Sequence, residues 1–105
     1  MTMEMCVDSA AAVAALSALA QEHRLALFRL LVQAGEDGMR AGVIAETMGF
    51  PNSSLSFHLG QLSRAGLLRQ KKKHRSIVYS ANYAAMDALV AYLLENCSSS
   101  AADRT

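Results

Sequence analysis

Apolar residues recur at helical spacing in five segments of the chain. The first segment runs from Asp8, which suits a helix N-cap, to about Ala20, and Val13, Leu16 and Leu19 form its apolar edge. Its many alanines have the highest intrinsic helix propensity. The pattern therefore predicts a first helix here.

The next apolar pattern is stronger. In residues 23–34 it places Leu27, Phe28 and Leu31 on one helical face, and the Gly-Glu-Asp-Gly sequence of residues 35–38 follows. Glycine just after the last apolar position is typical of a helix end. We predict a second helix followed by a loop.

A third, short helix is predicted over residues 40–48. Val43, Ile44 and Met48 are expected to point inward, and Gly49 is the expected C-terminal stop.

Asn52 is the predicted N-cap of a fourth helix that reaches about residue 65. In this helix Leu55, Leu59 and Leu62 follow the i, i+4, i+7 spacing of one buried stripe. Two helices joined by a short connection that contains Gly and Pro, the second with a single buried stripe, are typical of a helix-turn-helix.

The period then changes from helical to extended. Residues 67–71 and 76–80 can pair as a hairpin, and the second segment is rich in β-branched and aromatic side chains. The predicted connection, Lys72-Lys73-His74, lacks the usual glycine signal, so its turn type stays open. We interpret the hairpin as a basic wing.

A last helix is predicted over residues 83–96, with Met86, Leu89, Val90 and Leu93 at helical spacing. Its apolar surface exceeds what one small domain covers. The simplest way to bury it is against the first helix and a second copy of the chain.

The predicted fold class is mainly α, an α+β winged helix with five helices and a two-stranded β-wing that dimerises through its first and last helices. A chain of 105 residues, 52% of them hydrophobic and 18% charged, has room for one folded domain. We assign residues 1–97 to that domain and expect the polar residues 98–105 to be a disordered tail.

Charge is segregated along the chain although the formal net charge is only +1. All nine acidic residues lie at or before Glu46 or at or after Asp87. The charged side chains between those positions are Arg64, Arg69, Lys71, Lys72, Lys73 and Arg75. Such a distribution favours one face that binds a polyanion. A solvated run of charge without a partner is the alternative.

The candidate DNA contacts form two groups. On the fourth helix, Gln61 and Arg64 suit bidentate hydrogen bonds to base edges, and the ring of Phe57 either meets a thymine methyl group or caps the core. His58 lies nearer the buried stripe, so packing or a phosphate contact is favoured over metal binding. The remaining helix candidates are Ser53, Ser54 and Ser56. The wing candidates, suited to phosphate or minor-groove contact, are Lys71, Lys72, Lys73, His74 and Arg75.

Other classes of protein fit the sequence less well. The longest apolar stretch, residues 10–20, is too short to cross a bilayer and no basic region precedes it, so we expect a cytoplasmic protein without membrane contact. His23, His58 and His74 are scattered and no glycine-rich phosphate loop occurs, which argues against an enzyme. A winged-helix module that binds RNA or protein stays as an alternative.

Four segments together resemble the ArsR family of winged-helix repressors. The resemblance implies a homodimer that binds an imperfect inverted repeat in double-stranded DNA and leaves it when an inducer binds. The segments are residues 18–25 (ALAQEHRL), 54–59 (SLSFHL), 62–67 (LSRAGL) and 75–79 (RSIVY).

Two inducer sites known in that family are absent. Residues 39–48 lack the cysteine pair that many arsenic and cadmium sensors carry there. The zinc-type site on the last helix needs histidines and carboxylates, and residues 83–96 offer only Asp87 and Glu95.

The cysteines suggest a different input. Leu-Glu-Asn-Cys at residues 94–97 resembles a subgroup associated with arsenic resistance, although serines follow Cys97 here where that subgroup has neighbouring cysteines. Trivalent arsenic prefers thiolates, commonly three. In a dimer, Cys6 of one subunit could join Cys97 of the other, which would satisfy a substituted trivalent arsenical, whereas arsenite would need a further ligand. Incidental cysteines and an intersubunit disulfide switch are the alternatives.

Overall fold

Five helices and three strands make up residues 8–95, the part of the chain that this computed structural model describes. Cys6, Cys97 and the predicted tail lie outside that range. The helices are α1 (Ser9–Leu19), α2 (Glu22–Ala34), α3 (Ala41–Met48), α4 (Asn52–Arg64) and α5 (Tyr83–Leu93). The strands are β1 (Met39–Arg40), β2 (Leu68–Lys73) and β3 (Ser76–Ala81). The predicted mainly helical winged-helix class is confirmed.

The leucine stripes of α2 and α4 build the core as predicted. Leu27, Phe28 and Leu31 of α2 are buried, and the predicted stripe of α4 packs in the same cluster. Ile44 of α3 and Leu67 are fully buried as well. Burying such side chains stabilises the fold by about 1.5–3 kcal/mol each.

Three alanines of α1 face the core, and of its larger apolar residues only Leu19 packs against it. Ala12, Ala15 and Ala18 are buried, whereas Val13 and Leu16 are exposed. The small side chains let α1 approach the neighbouring helices closely. The cap predicted for this helix is confirmed, because the Asp8 side chain accepts a hydrogen bond from the Ala11 amide at 2.8 Å.

Two predictions about α3 and α4 are wrong. Val43 does not point inward but is 47% exposed, because Ile44 takes the inward position of this short helix. Asn52 is not the N-cap of α4 but its first helical residue, and Pro51 holds the cap position with φ −63° and ψ 153°. The proline ring fixes a φ suited to a helix start, and no side chain in the described part of the chain caps this end.

The sheet contains a strand that the sequence did not reveal. Its order is β1-β3-β2, with all neighbours antiparallel. The two-residue β1 pairs Met39 with Tyr79 and Arg40 with Val78. The wing is therefore part of a three-stranded sheet and not an isolated hairpin.

Candidate nucleic-acid interface

The leucine stripe of α4 packs into the core, so the opposite face of this helix points toward solvent. Ser53, Ser56 and Arg64 are exposed there, and Ser54 and Gln61 are half-buried. Hydroxyl, amide and guanidinium groups on one exposed helix face are the groups that contact base edges and phosphates. Their role in DNA contact stays a prediction.

Phe57 lies on this exposed face. Its side chain is 55% exposed, so within residues 8–95 it does not cap the core. A large aromatic residue in this position supplies apolar contact area beside the polar groups.

His58 packs behind that face in a cluster that the sequence did not indicate. Its ring centroid lies 5.9 Å from that of His23 and 5.7 Å from that of Phe50, and Phe57 lies 5.6 Å away. The Arg24 Nη1 atom lies 3.5 Å from His58 Nδ1, and Arg24 Nε donates to the Ala18 carbonyl at 2.6 Å. The cluster joins residues from three separate segments, so no periodicity along one element could have revealed it.

The surroundings of His58 favour its neutral form. Burial lowers its pKa below the ordinary value of 6.5, and the positive charges of Arg24 and His23 lower the pKa further. A neutral ring can accept a hydrogen bond from Arg24 at Nδ1. His58 therefore packs between α4 and the start of α2, and its contact with phosphate stays a prediction.

The wing turns at His74 and Arg75, not at the predicted Lys72-Lys73-His74. Lys72 and Lys73 remain in β2, where they pair with Ile77 and Ser76. His74 has φ +57°, in the left-handed region that two-residue hairpins commonly require. Histidine adopts this conformation more often than most residues, which explains a tight turn without glycine.

Side chains on the wing alternate between two sides of the sheet. Gln70 and Lys72 lie on the side that carries α4, and Gln70 Nε2 donates to Ser63 Oγ of α4 at 3.2 Å. The wing and α4 are thus in direct contact. The five wing candidates, Lys71, Lys72, Lys73, His74 and Arg75, are all exposed.

The predicted inducer site cannot be located in this part of the molecule. Cys6 and Cys97 lie outside the described residues, and residues 8–95 contain no group of three or more His, Cys, Asp or Glu side chains that could hold a metal ion. No helix between residues 8 and 95 is long and apolar enough to cross a membrane.

A polar helix presented by a helix-turn-helix and flanked by a basic hairpin defines the winged helix-turn-helix class of protein. A helix-turn-helix domain family matches residues 19–71. A relative, the transcriptional activator HlyU of Vibrio cholerae, is 30% identical over 90 residues, which cover 86% of this chain and 81% of the relative.

Solved structures agree with that assignment. An ArsR-like transcriptional regulator from Rhodococcus sp. RHA1 superposes with a TM-score of 0.76 at 25% identity, covering 90% of this chain and 86% of its own. A possible transcriptional regulator for arsenical resistance gives 0.63 at 28% identity, covering 74% and 78%. The chain belongs to the helix-turn-helix family and is an ArsR-type winged-helix transcriptional regulator. This family and these relatives are DNA-binding regulators, not enzymes.

Proposed function

We propose that the chain is a homodimeric repressor that binds an inverted-repeat operator and is released by a thiophilic inducer, trivalent arsenic. One observation carries the DNA-binding part: the exposed polar face of α4 lies directly beside a wing whose exposed side chains are cationic. In this arrangement α4 reads the major groove, and the wing contacts flanking phosphates.

The exposed face of α4 provides the specificity for DNA sequence. Ser53, Ser54, Ser56, Gln61 and Arg64 contact base edges or nearby phosphates. Phe57 offers its exposed ring to a thymine methyl group. His58 orients the helix from behind. Replacing Phe57 by alanine should therefore weaken operator binding more than non-specific binding.

Dimerisation supplies the second half of the operator contact. Helices α1 and α5 pack against each other and leave large apolar side chains exposed. An isologous pair formed through these helices would present two copies of α4 related by a two-fold axis, as an inverted repeat requires. The exposed residues are Val13 and Leu16 of α1, Val90 and Leu93 of α5, and Leu94, which caps α5.

The inducer part rests on the cysteines and on the resemblance of residues 94–97 to arsenic-responsive proteins. Thiolates are the ligands that trivalent arsenic prefers. Cys97 and the partner subunit's Cys6 would supply two of them. The 30% identical relative is named an activator. Repression is therefore proposed for this chain and is not carried over from that relative.

Fluorescence anisotropy tests this proposal. A duplex from the protein's own promoter is titrated with protein, and arsenite, methylarsenite, zinc or cadmium is then added in turn. We expect tight binding and release by a trivalent arsenical alone. Release by none of the four would contradict the arsenic input and leave the DNA-binding part intact.

Cysteine variants locate the site. Cys97→Ser and Cys6→Ser proteins should bind the duplex as the unmodified chain does and resist release by arsenical. A Cys97→Ser protein that is still released would remove Cys97 from the inducer site. Release by an oxidant and not by arsenical would favour the disulfide switch.

A further inference from the structure

The cations of the wing are divided between its two sides. Alternation along β2 places Arg69, Lys71 and Lys73 on one side and Gln70 and Lys72 on the other. The second group shares its side with α4, through the contact between Gln70 and Ser63. We call the side of Arg69, Lys71 and Lys73 the loop side of the wing, after the α2–β1 connection described next. The side of Gln70 and Lys72 is the α4 side.

The loop side faces the acidic connection between α2 and β1. A Cβ atom built on Gly38 would fall on the carbonyl oxygen of Tyr79 and lie 2.8 Å from Val78 Cγ1, so the backbone of this connection lies directly on β3. Val78 pairs with Lys71, and its side chain is 7% exposed because the connection covers it. The connection therefore lies beside the three loop-side cations.

Opposite charges meet in the cavity that remains between them. Its volume is about 540 Å³, and its lining includes Glu36 and Asp37 of the connection and Arg69, Lys71 and Lys73 of β2, with Gln70 between them. Lys72 does not line it. Glu36 and Asp37 therefore share one cavity with three cations, and carboxylates placed there lower the positive potential that these cations present to a polyanion.

We infer that the two sides of the wing act differently on DNA: the α4 side, through Lys72, contacts phosphate, whereas Glu36 and Asp37 hold the loop-side cations away from it. The inference rests on the proposed DNA-binding function and divides a wing that the sequence treats as uniform. The acidic connection competes with the DNA backbone for the same cations.

The physical reason is that a phosphate contact releases counterions only if the cation is not already neutralised. Loss of one contact between a lysine and a phosphate reduces the magnitude of the slope of log affinity against log salt by about 0.9. A lysine whose charge is partly offset by Glu36 and Asp37 contributes less to that slope.

Single substitutions test this division with closely matched variants. Lys71→Ala, Lys72→Ala and Lys73→Ala are titrated into a labelled mixed-sequence duplex about thirty base pairs long, between about 50 and 200 mM salt. We expect the slope to fall by about 0.9 for Lys72→Ala and by less than about 0.3 for the other two. Equal losses in all three, or a loss only at Lys71 or Lys73, would overturn the inference.

The reciprocal experiment neutralises the acidic connection. Glu36→Gln with Asp37→Asn should raise affinity several-fold and steepen the slope by about one, and Lys71→Ala should lower the slope in that background. Glu22→Gln with Asp87→Asn changes the net charge equally, away from the cavity, and is the matched control. Equal effects of the two pairs would overturn the inference. Absence of salt-sensitive binding by the unmodified chain would instead contradict the proposed DNA-binding function itself, and the inference with it.

Discussion

Gly38 directly precedes β1 and lets this short strand lie against β3. Its φ is +70°, and any Cβ atom there would collide with the carbonyl oxygen of Tyr79 and the side chain of Val78. Gly38→Ala therefore combines backbone strain with a steric clash, and it should lower the free energy of unfolding by about 2–4 kcal/mol. Urea denaturation followed by circular dichroism measures the loss.

Gly49 offers a matched control at the end of α3. Its φ is +73°, yet a Cβ atom there would have no neighbour within 4 Å among residues 8–95. Gly49→Ala should thus show the backbone strain alone, about 1 kcal/mol. If the two substitutions cost the same, then the contact between Gly38 and β3 does not stabilise the sheet.

At the scale of elements, Arg24 links three helices. It lies in α2, donates to the carbonyl of Ala18 in α1, and approaches the ring of His58 in α4. Because burial and nearby cations lower the pKa of His58 below 6.5, the folded chain disfavours a proton that the unfolded chain accepts below about that pH. The contribution of His58 to stability is therefore complete above pH 6.5 and is lost as pH falls through its lowered folded value.

Thermal unfolding at several pH values tests this assignment. The unmodified chain should melt at a lower temperature near pH 5.5 than near pH 7.5. His58→Gln keeps an acceptor for Arg24 but does not titrate, so its melting temperature should depend less on pH. Identical pH profiles would exclude His58 as the source of the dependence.

How far the sequence predicts these elements depends on what each element packs against. α2 and α4 each carry one leucine stripe that packs inside the same chain, so periodicity alone identified their buried faces. In α3 two adjacent apolar residues, Val43 and Ile44, compete for one inward position, and the pattern cannot say which is buried. β1 escaped prediction because two residues have no periodicity, and the wing turn shifted because His74 adopts a conformation usually given to glycine.

The candidate interface was predictable for the same reason. Once the buried stripe of α4 is known, the opposite residues face solvent, and the run of cations marks the wing. The cluster around His58 and the division of the wing were not predictable, since both depend on contacts between elements distant in the chain. Cys6 and Cys97 lie outside the described residues, so their predicted role has not been tested.

At the scale of the molecule, α1 and α5 have apolar faces that residues 8–95 do not cover. Val13 is 61% exposed and Leu93 is 53% exposed, although the alanine face of α1 and Leu89 of α5 are buried in the core. Each of these helices is thus apolar on two sides. A second copy of the chain would bury the outer side and fix the separation of the two α4 helices.

Val90 and Leu25 allow a matched test of this arrangement, because both are 45% exposed but only Val90 lies on the proposed dimer face. A glutamate at position 90 would be buried without a partner in the dimer, so Val90→Glu should yield monomers at concentrations where the unmodified chain sediments as a dimer. Leu25→Glu should leave the mass of the dimer unchanged.

The Val90→Glu monomer should also bind an inverted-repeat duplex at least about a hundredfold more weakly, because the two half-sites of the duplex are no longer bound by one linked pair of subunits. A Val90→Glu protein with unchanged sedimentation would place the dimer interface elsewhere, and the spacing of the two α4 helices would then have to be set by a different pair of surfaces.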